Sequence, residues 1–317
     1  MNSSADRLTS KALVAFAIIY FVWGSTFLAI RIGVREFPPL VMASLRFLVA
    51  GIVLCLWVLA RGERFPNRRE WAGAALLSIP LFVLDYGLVF WAEKRVPSGL
   101  TAIMLATIPA FMALSEIVLL RTQRLTVRLA LALLVGVVGV GTLMSHSLYL
   151  GSAAIDKTGA AALVTASMSW AIGSTLTRKV PLPSSKVVSS GVQMLAGGFF
   201  LTLAAAFFRE FRGFDPFRIS AAAWISLAYL TIAGSVVAFT AYLWLIHHES
   251  PTKVGTYAYV NPVIAVLLGY FFGGEGLGMR TVLGAALVLI SVFVIVTGGS
   301  KKAAAASVAE STANAAS

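Results

Sequence analysis

Apolar residues gather into ten long runs separated by short polar connections, near residues 12–34, 39–60, 72–91, 97–120, 126–145, 158–178, 186–208, 221–245, 251–273 and 280–298. Each run is about 18–25 residues long, and about 20 residues rising 1.5 Å apiece cross a hydrocarbon core of about 30 Å. The pattern predicts an all-α polytopic membrane protein with ten transmembrane helices. Connections of about 4–13 residues are too short to fold into an extramembrane module. Composition agrees: 59% of the residues are hydrophobic and only 12% charged, where a soluble domain carries about 25% charge.

The formal net charge of +12 adds a topology, because Lys and Arg concentrate in cytoplasmic loops. With the N-terminus in the cytoplasm, fifteen basic residues lie inside, including Arg61, Arg64, Arg68, Arg69, Arg121, Arg124 and Arg128. Nine lie outside, and Arg46 sits within a run. Both termini are therefore expected in the cytoplasm. The basic residues form no extended face interleaved with aromatics, so nucleic acid is not an expected partner. Arg7 and Lys11 precede the first run as in a signal peptide, but that run exceeds the usual 7–15-residue core and reads as a retained spanning helix. Cys55, the single cysteine, allows neither an intramolecular disulfide nor a cysteine metal site. Residues 1–11 read as a cytoplasmic N-terminus, and 299–317 as a disordered cytoplasmic tail rich in Ala and Ser.

Weak internal similarity repeats in order. Gly24-Ser25-Thr26 returns as Gly173-Ser174-Thr175, and Ala50-Gly51 as Gly197-Gly198. Pro97 returns as Pro251 and Pro109 as Pro262, with spacings that differ only by small loop changes. These matches divide the chain into two five-helix repeats, 12–145 and 158–298. An odd number of crossings forces the second copy to enter the membrane from the opposite side. The repeats are then inverted, an architecture of secondary transporters whose substrate site lies at the midplane between the halves.

Trp23-Gly24-Ser25-Thr26, the stretch from Leu105 to Glu116 and that from Thr256 to Glu275 resemble the drug/metabolite transporter superfamily. Within it they are most similar to the ten-helix EamA-type exporters, each built of two EamA repeats. The likeness spans residues 10–298, with the regions of Pro109 and Pro262 as its best markers. It departs from equivalence at one helix end, where Gln123 stands in the first repeat and Glu275 in the second. The resemblance implies export of a small metabolite, aromatic or large neutral amino acids foremost, across a bacterial inner membrane.

An ionisable group deep in a span costs about 2.5–3.5 kcal/mol on insertion scales. Three carry that cost: Arg46, Asp85 and Glu116. Arg46 and Asp85 lie at equal depth, about 10 Å below the outer surface at 1.5 Å per residue, and form a candidate ion pair or a gating element. Glu116, near Arg121, reads as a snorkelling or paired carboxylate. Neither acid is well poised to titrate during transport, which favours movement down the substrate's own gradient over proton exchange.

Helical spacing gathers polar and aromatic groups into stripes: Trp23 with Phe27, Phe82 with Tyr86 and Phe90, Ser167 with Trp170 and Ser174, Ser235 with Phe239 and Tyr242, and Tyr257 with Asn261. Such stripes serve packing or line a cavity, and a transport cavity is mostly apolar with a few placed polar groups. Trp91, Trp224 and Trp244 fit an interfacial belt. Pro109 and Pro262 are candidate helix breaks that free the carbonyls of Leu105 and Ala258, and exposed backbone is tolerated where it lines a cavity. Gly269 with Gly273, and the glycines at 136, 139 and 141, are close-packing residues from which no dimer follows. Function as a monomer is expected.

The chain has no Walker A sequence, GxSxG or HExxH, and the paired His247-His248 does not make a metal site. No cofactor is expected, and the partners are a small-molecule substrate and the lipid bilayer. The reading is a secondary transporter working by alternating access. The alternatives are export of drugs or other metabolites and, in another class, a membrane-embedded lipid-modifying enzyme. The latter needs paired acid/base or metal-ligand residues at one membrane face, which the three buried charges do not supply.

Overall fold

The computed structural model describes residues 3–96, 101, 104–149, 156–273, 279, 282–295 and 297. Pro97, Glu275 and the expected tail from 299 onward lie outside the described residues. The chain is all-helical: α1 (Ser3–Gly33), α2 (Pro39–Ala60), α3 (Arg68–Glu93), α4 (Ile108–Leu120), α5 (Val127–Tyr149), α6 (Lys157–Leu176), α7 (Lys186–Phe207), α8 (Ala221–His248), α9 (Tyr257–Gly273) and α10 (Val282–Ile295). Six stretches, Ser10–Gly33, Pro39–Ala60, Arg68–Glu93, Lys157–Leu176, Lys186–Phe207 and Ala221–His248, are long and apolar enough to cross a membrane.

Local chemistry sets most of the starts. Asn67 and Glu70 form a reciprocal capping box, while Asp156, Ser185 and Ser220 cap α6, α7 and α8 through their side chains. Pro39 opens α2, where its missing N–H costs nothing. The reversal after α2 passes through Gly62 at φ 66°, a left-handed conformation suited to glycine.

A pseudo-two-fold axis shows in the contact of α2 with α7. Gly51 lies against Leu195 and Gly198 against Leu48, each pair approaching so closely that a Cβ would stand 2.7 Å from the partner's backbone nitrogen. Gly198 is the counterpart of Gly51, and Leu195 that of Leu48, so the contact is reciprocal, as a two-fold requires. The same relation appears in the helix interiors. α3 turns π-helical over Ile79–Tyr86 and α8 over Leu230–Val237, at equivalent places in the third helix of each repeat. The fold is thus a ten-helix membrane protein of two inverted five-helix repeats.

The symmetry extends to the broken helices, with one correction to the sequence reading. A turn interrupts the chain at Thr107, just before α4, and at Gly255-Thr256, between a short turn Pro251–Val254 and α9. Thr107 and Thr256 each donate their hydroxyl to the carbonyl three residues back, Met104 and Lys253, at 2.6 Å. This side-chain bond competes with the helical ladder and marks both breaks. Pro109 occupies the first turn of α4, where proline is harmless, and Pro262 lies inside α9. The second break therefore sits before Pro262, at Thr256, and not at the proline itself.

α5 and α10 pack against α9 at the periphery, joined by Ser291 Oγ donating to Ala132 O (2.6 Å) and Tyr259 OH donating to Leu133 O (3.0 Å). Gly136 and Gly139 allow that close approach, facing the Tyr259 ring and Val288.

Candidate functional site

A cavity of about 60 Å³ lies between the halves, lined by α1, α3, α6, α9 and the residues around the first break. Its walls hold Trp23, Phe27, Asp85, Tyr86, Trp170, Tyr257 and Asn261 from the sequence stripes, together with Leu105 and Ala258. Pro262, inside α9, removes the helical donor to the Ala258 carbonyl, whereas Leu105 precedes the turn that opens α4. The lining steps along α1 from Trp23 through Thr26 and Phe27 to Ile30, and along α3 from Asp85 to Val89. It therefore runs from mid-bundle towards the face opposite the chain's N-terminus.

Phe82, Ser174, Ser235, Phe239 and Tyr242 do not line the cavity. They form the layer around and beneath it. Trp170 lies 5.6 Å from Trp23, 5.1 Å from Tyr242 and 6.3 Å from Phe239 between ring centroids, while Trp23 reaches Tyr257 at 4.7 Å. Phe82 meets Phe239 edge-on at 5.2 Å. Tyr242 donates its hydroxyl to Ser174, and Trp23 Nε1 donates to Gly234 O (3.1 Å). Five helices contribute rings to one floor, so movement of any of them must repack it.

Beyond that floor, towards the N-terminal face, bonds between the halves close the bundle. The Tyr20 hydroxyl shares a 2.7 Å hydrogen bond with that of Thr256, and Lys179 donates to Leu119 O. Glu116 accepts from Thr252 N (3.2 Å) and Thr252 Oγ1 (2.8 Å), and from Thr122 Oγ1 (3.2 Å). Its expected partner, Arg121, instead ends α4 in a left-handed turn at φ 58° and is exposed. A carboxylate with these three donors needs no arginine.

The halves depart from symmetry here. Ser169 stands where Tyr20 does relative to the Gly-Ser-Thr motif, and Thr107 marks the first break as Thr256 marks the second. They do not bond each other: Ser169 donates to Pro80 O and Thr107 to Met104 O. Gly24 lies tightly against Ile264 and Asn261 of α9, whereas its counterpart Gly173 lies against Leu81 and Pro80 of α3. The α1–α9 seam is closed towards the N-terminal face, and its symmetry mate is paired differently.

Arg46 and Asp85 do not form the expected ion pair. Among the described residues the three salt bridges are Arg64–Glu70, Arg218–Asp215 and Lys253–Glu249. Arg46, 1% exposed, donates from Nε to Ser235 Oγ (2.8 Å), and its guanidinium lies 4.9 Å from the ring centroids of both Phe47 and Tyr86. A hydroxyl and two π faces stabilise its charge. Asp85 is left on the cavity wall. Equal depth did not bring the two into contact, because α3 is π-helical at Asp85 and an extra residue per turn changes which side chains share a face.

Glu93 was missed altogether. It reads as a polar helix end, yet its carboxylate is fully buried without a hydrogen-bond partner. Arg31 donates to its main-chain carbonyl. Arg178, just past the end of α6 in the second repeat, likewise donates to carbonyls at the end of α8, Ile246 O (2.9 Å) and Glu249 O (3.2 Å). Each repeat thus fastens the end of its first helix to the end of its third. In the connection after α1, Glu36 accepts from Ser220 N (2.7 Å) and Ser220 Oγ (2.6 Å), which holds its carboxyl below the ordinary value.

Trp91, Trp224 and Trp244 lie partly exposed near helix ends, with Arg95 over Trp91 at 3.9 Å and His248 stacked on Trp244. His247 and His248 pair through Nδ1 with Leu243 O and Trp244 O at 2.7 Å. No group of three metal-ligating side chains occurs among the described residues.

The chain matches the EamA-like transporter family twice, over residues 10–145 and 157–297. It is 36% identical to the uncharacterized inner membrane transporter YedA of Escherichia coli (strain K12), over 90% of each chain. Protein PecM of Dickeya dadantii is 26% identical, covering 86% of this chain and 88% of its own. A crystal structure shares the fold with a TM-score of 0.71 at 21% identity, covering 90% of this chain and 96% of the other. Two family matches, spanning nearly the whole of a ten-helix inverted-repeat bundle, show that the chain belongs to the EamA-like transporter family of the drug/metabolite transporter superfamily.

Proposed function

We propose that this transporter exports small organic metabolites, aromatic and large neutral amino acids among them, by alternating access between its two halves. The observation that carries the proposal is the cavity at their interface, backed on one side by an aromatic floor and inter-half hydrogen bonds. A site reachable from one face and sealed from the other is one end state of such a cycle. The amino-acid preference rests on the rings around the cavity, and from the same sequence motifs we infer a kinship with the aromatic amino-acid exporter YddG. A drug or another metabolite would meet the same apolar walls. In this state the cavity is small. A site for one water needs about 10–15 Å³ on this measure, so about 60 Å³ holds a substrate's polar head and not its aromatic ring. Transport then requires the floor to repack.

We further propose repeats of 12–145 and 158–298 acting as the two moving bodies in a monomer, with both termini cytoplasmic in a bacterial inner membrane. The cavity then faces outward. Flux follows the substrate's own gradient in this reading, with Glu116 serving as an acceptor that ties the halves together. The test is efflux of labelled phenylalanine, tryptophan and leucine from proteoliposomes, with and without a pH gradient. Saturable efflux at equal pH supports the proposal. Uphill accumulation under a pH gradient would replace the facilitator by an exchanger, and no flux of any amino acid would remove the substrate class.

A further inference from the structure

Two side-chain acceptors stand out in the cavity wall. Asp85 is 6% exposed and borders the cavity, and no hydrogen bond or ion pair holds it among the described residues. Asn261, 3% exposed and also in the lining, has a buried side-chain oxygen with no partner among the described residues. The lining residue Ala258 carries a carbonyl whose helical donor Pro262 removes. Around these acceptors stand the rings of Trp23, Tyr86, Trp170 and Tyr257, whose π faces attract cations.

Among the described residues no Lys, Arg or His lines the cavity. Arg46, which packs on Tyr86, directs Nε to Ser235 and its plane to the Phe47 and Tyr86 rings; its Nη1 has no hydrogen-bond partner among the described residues, and its charge reaches Asp85 without salt-bridge contact. A buried acceptor left unpaired costs about 1–3 kcal/mol, and more if charged. Asp85, the Asn261 oxygen and the Ala258 carbonyl, ringed by π faces with no cation in the lining, suit a cationic donor supplied by the occupant.

We propose that this wall is the subsite for a cationic nitrogen, the ammonium group of the transported metabolite, with Asp85 as its counter-charge and Asn261 and the Ala258 carbonyl as neutral acceptors. The inference deepens the metabolite-export reading and rests on it. It makes the transporter selective for charge: amines and amino acids enter, and the corresponding carboxylates without an amino group are turned away. The lining also contains an indole donor, Trp170 Nε1, which suits the carboxylate of a zwitterion sharing the site. A small cavity fits this role, because an ammonium and the carbon bearing it fill little space.

The test uses the full chain purified in detergent, read by intrinsic tryptophan fluorescence, since Trp23 and Trp170 border the site. The probes are phenylethylamine, phenylalanine and 3-phenylpropionate, which hold the ring constant and change only the charged groups. The amine and the amino acid are expected to quench saturably and the propionate not. Asp85→Asn should weaken amine binding at least tenfold, and Asp85→Glu should restore part of it. Asn261→Leu, several-fold weaker for the amine, keeps the test decisive if the Asp85 variants unfold. Propionate binding as tightly as the amine, or unchanged amine affinity in Asp85→Asn, would overturn the subsite while leaving transport intact. If none of the three binds, the aromatic-metabolite reading fails, and ethylammonium chloride tests the subsite alone: binding lost in Asp85→Asn upholds it, and no binding overturns it.

Discussion

The reciprocal α2–α7 seam predicts a specific failure of additivity. An alanine Cβ at position 51 would lie 2.7 Å from Leu195 N and 2.8 Å from Leu195 Cγ, and one at position 198 would lie 2.7 Å from Leu48 N. Ordinary contact begins near 3.4 Å, so the helices must part by about 0.7 Å in either case. Backbone cannot rotate aside as a side chain can, and overpacking of this kind costs about 1–3 kcal/mol. Once one substitution has parted the helices, the second finds the gap already open. The double variant Gly51→Ala/Gly198→Ala should therefore lose less than the sum of the singles, with a coupling of about 0.5–3 kcal/mol. The assay is reversible unfolding in mixed micelles. Gly136→Ala serves as the control, since its Cβ would meet the Tyr259 ring at the remote α5–α9 contact. It should add to Gly51→Ala within about 0.5 kcal/mol. Additive losses for the seam pair would refute a shared two-fold contact.

Thr252→Val should destabilise the chain by about 1–3 kcal/mol in the same assay, because it removes the hydroxyl donor to buried Glu116, while Thr252→Ser should recover most of the loss. Stability should also depend on Glu36, whose pKa is lowered in the fold by the Ser220 side-chain and backbone donors. A depressed carboxylate stabilises above its unfolded value of about 4.3, and that contribution is lost as pH falls through the folded value. The difference in melting temperature between wild type and Glu36→Gln should thus be full at pH 7 and shrink as pH falls below about 5. A difference that does not change as pH falls through the acid range would mean the Ser220 bonds do not favour the charged form.

What the sequence made legible was set by hydrophobicity and by covalent constraint. The ten apolar runs fix the helices because lipid offers backbone groups no other partner, and repeated glycines at 51 and 198 mark the seam because only a missing Cβ allows it. Trp23, Tyr86, Trp170, Tyr257 and Asn261 fall together in the cavity lining because each is a large or polar group that helical spacing turns to one side. Azimuth was harder. The π segments Ile79–Tyr86 and Leu230–Val237 are as apolar as any helix around them, so nothing in composition announces that the faces rotate there. Arg46 and Asp85 consequently share a depth but not a contact. Pro262 pointed to a break that Thr256 makes earlier in the chain, through a hydroxyl–carbonyl bond that is invisible without coordinates. Glu93 lies just past the third apolar run, and the covering of the α3 end that buries it is a tertiary fact.

Alternating access is tested most directly at the closed seam between α1 and α9, where Tyr20 and Thr256 meet. In a Cys55→Ser background, Tyr20→Cys and Thr256→Cys can be bridged by a short, reducible bis-thiosulfonate reagent, and amino-acid efflux measured from proteoliposomes. Holding this seam shut should abolish efflux in the double variant, leave both single variants active, and allow recovery on reduction. Undiminished flux through the bridged protein would contradict a transport cycle in which the two halves part at this face.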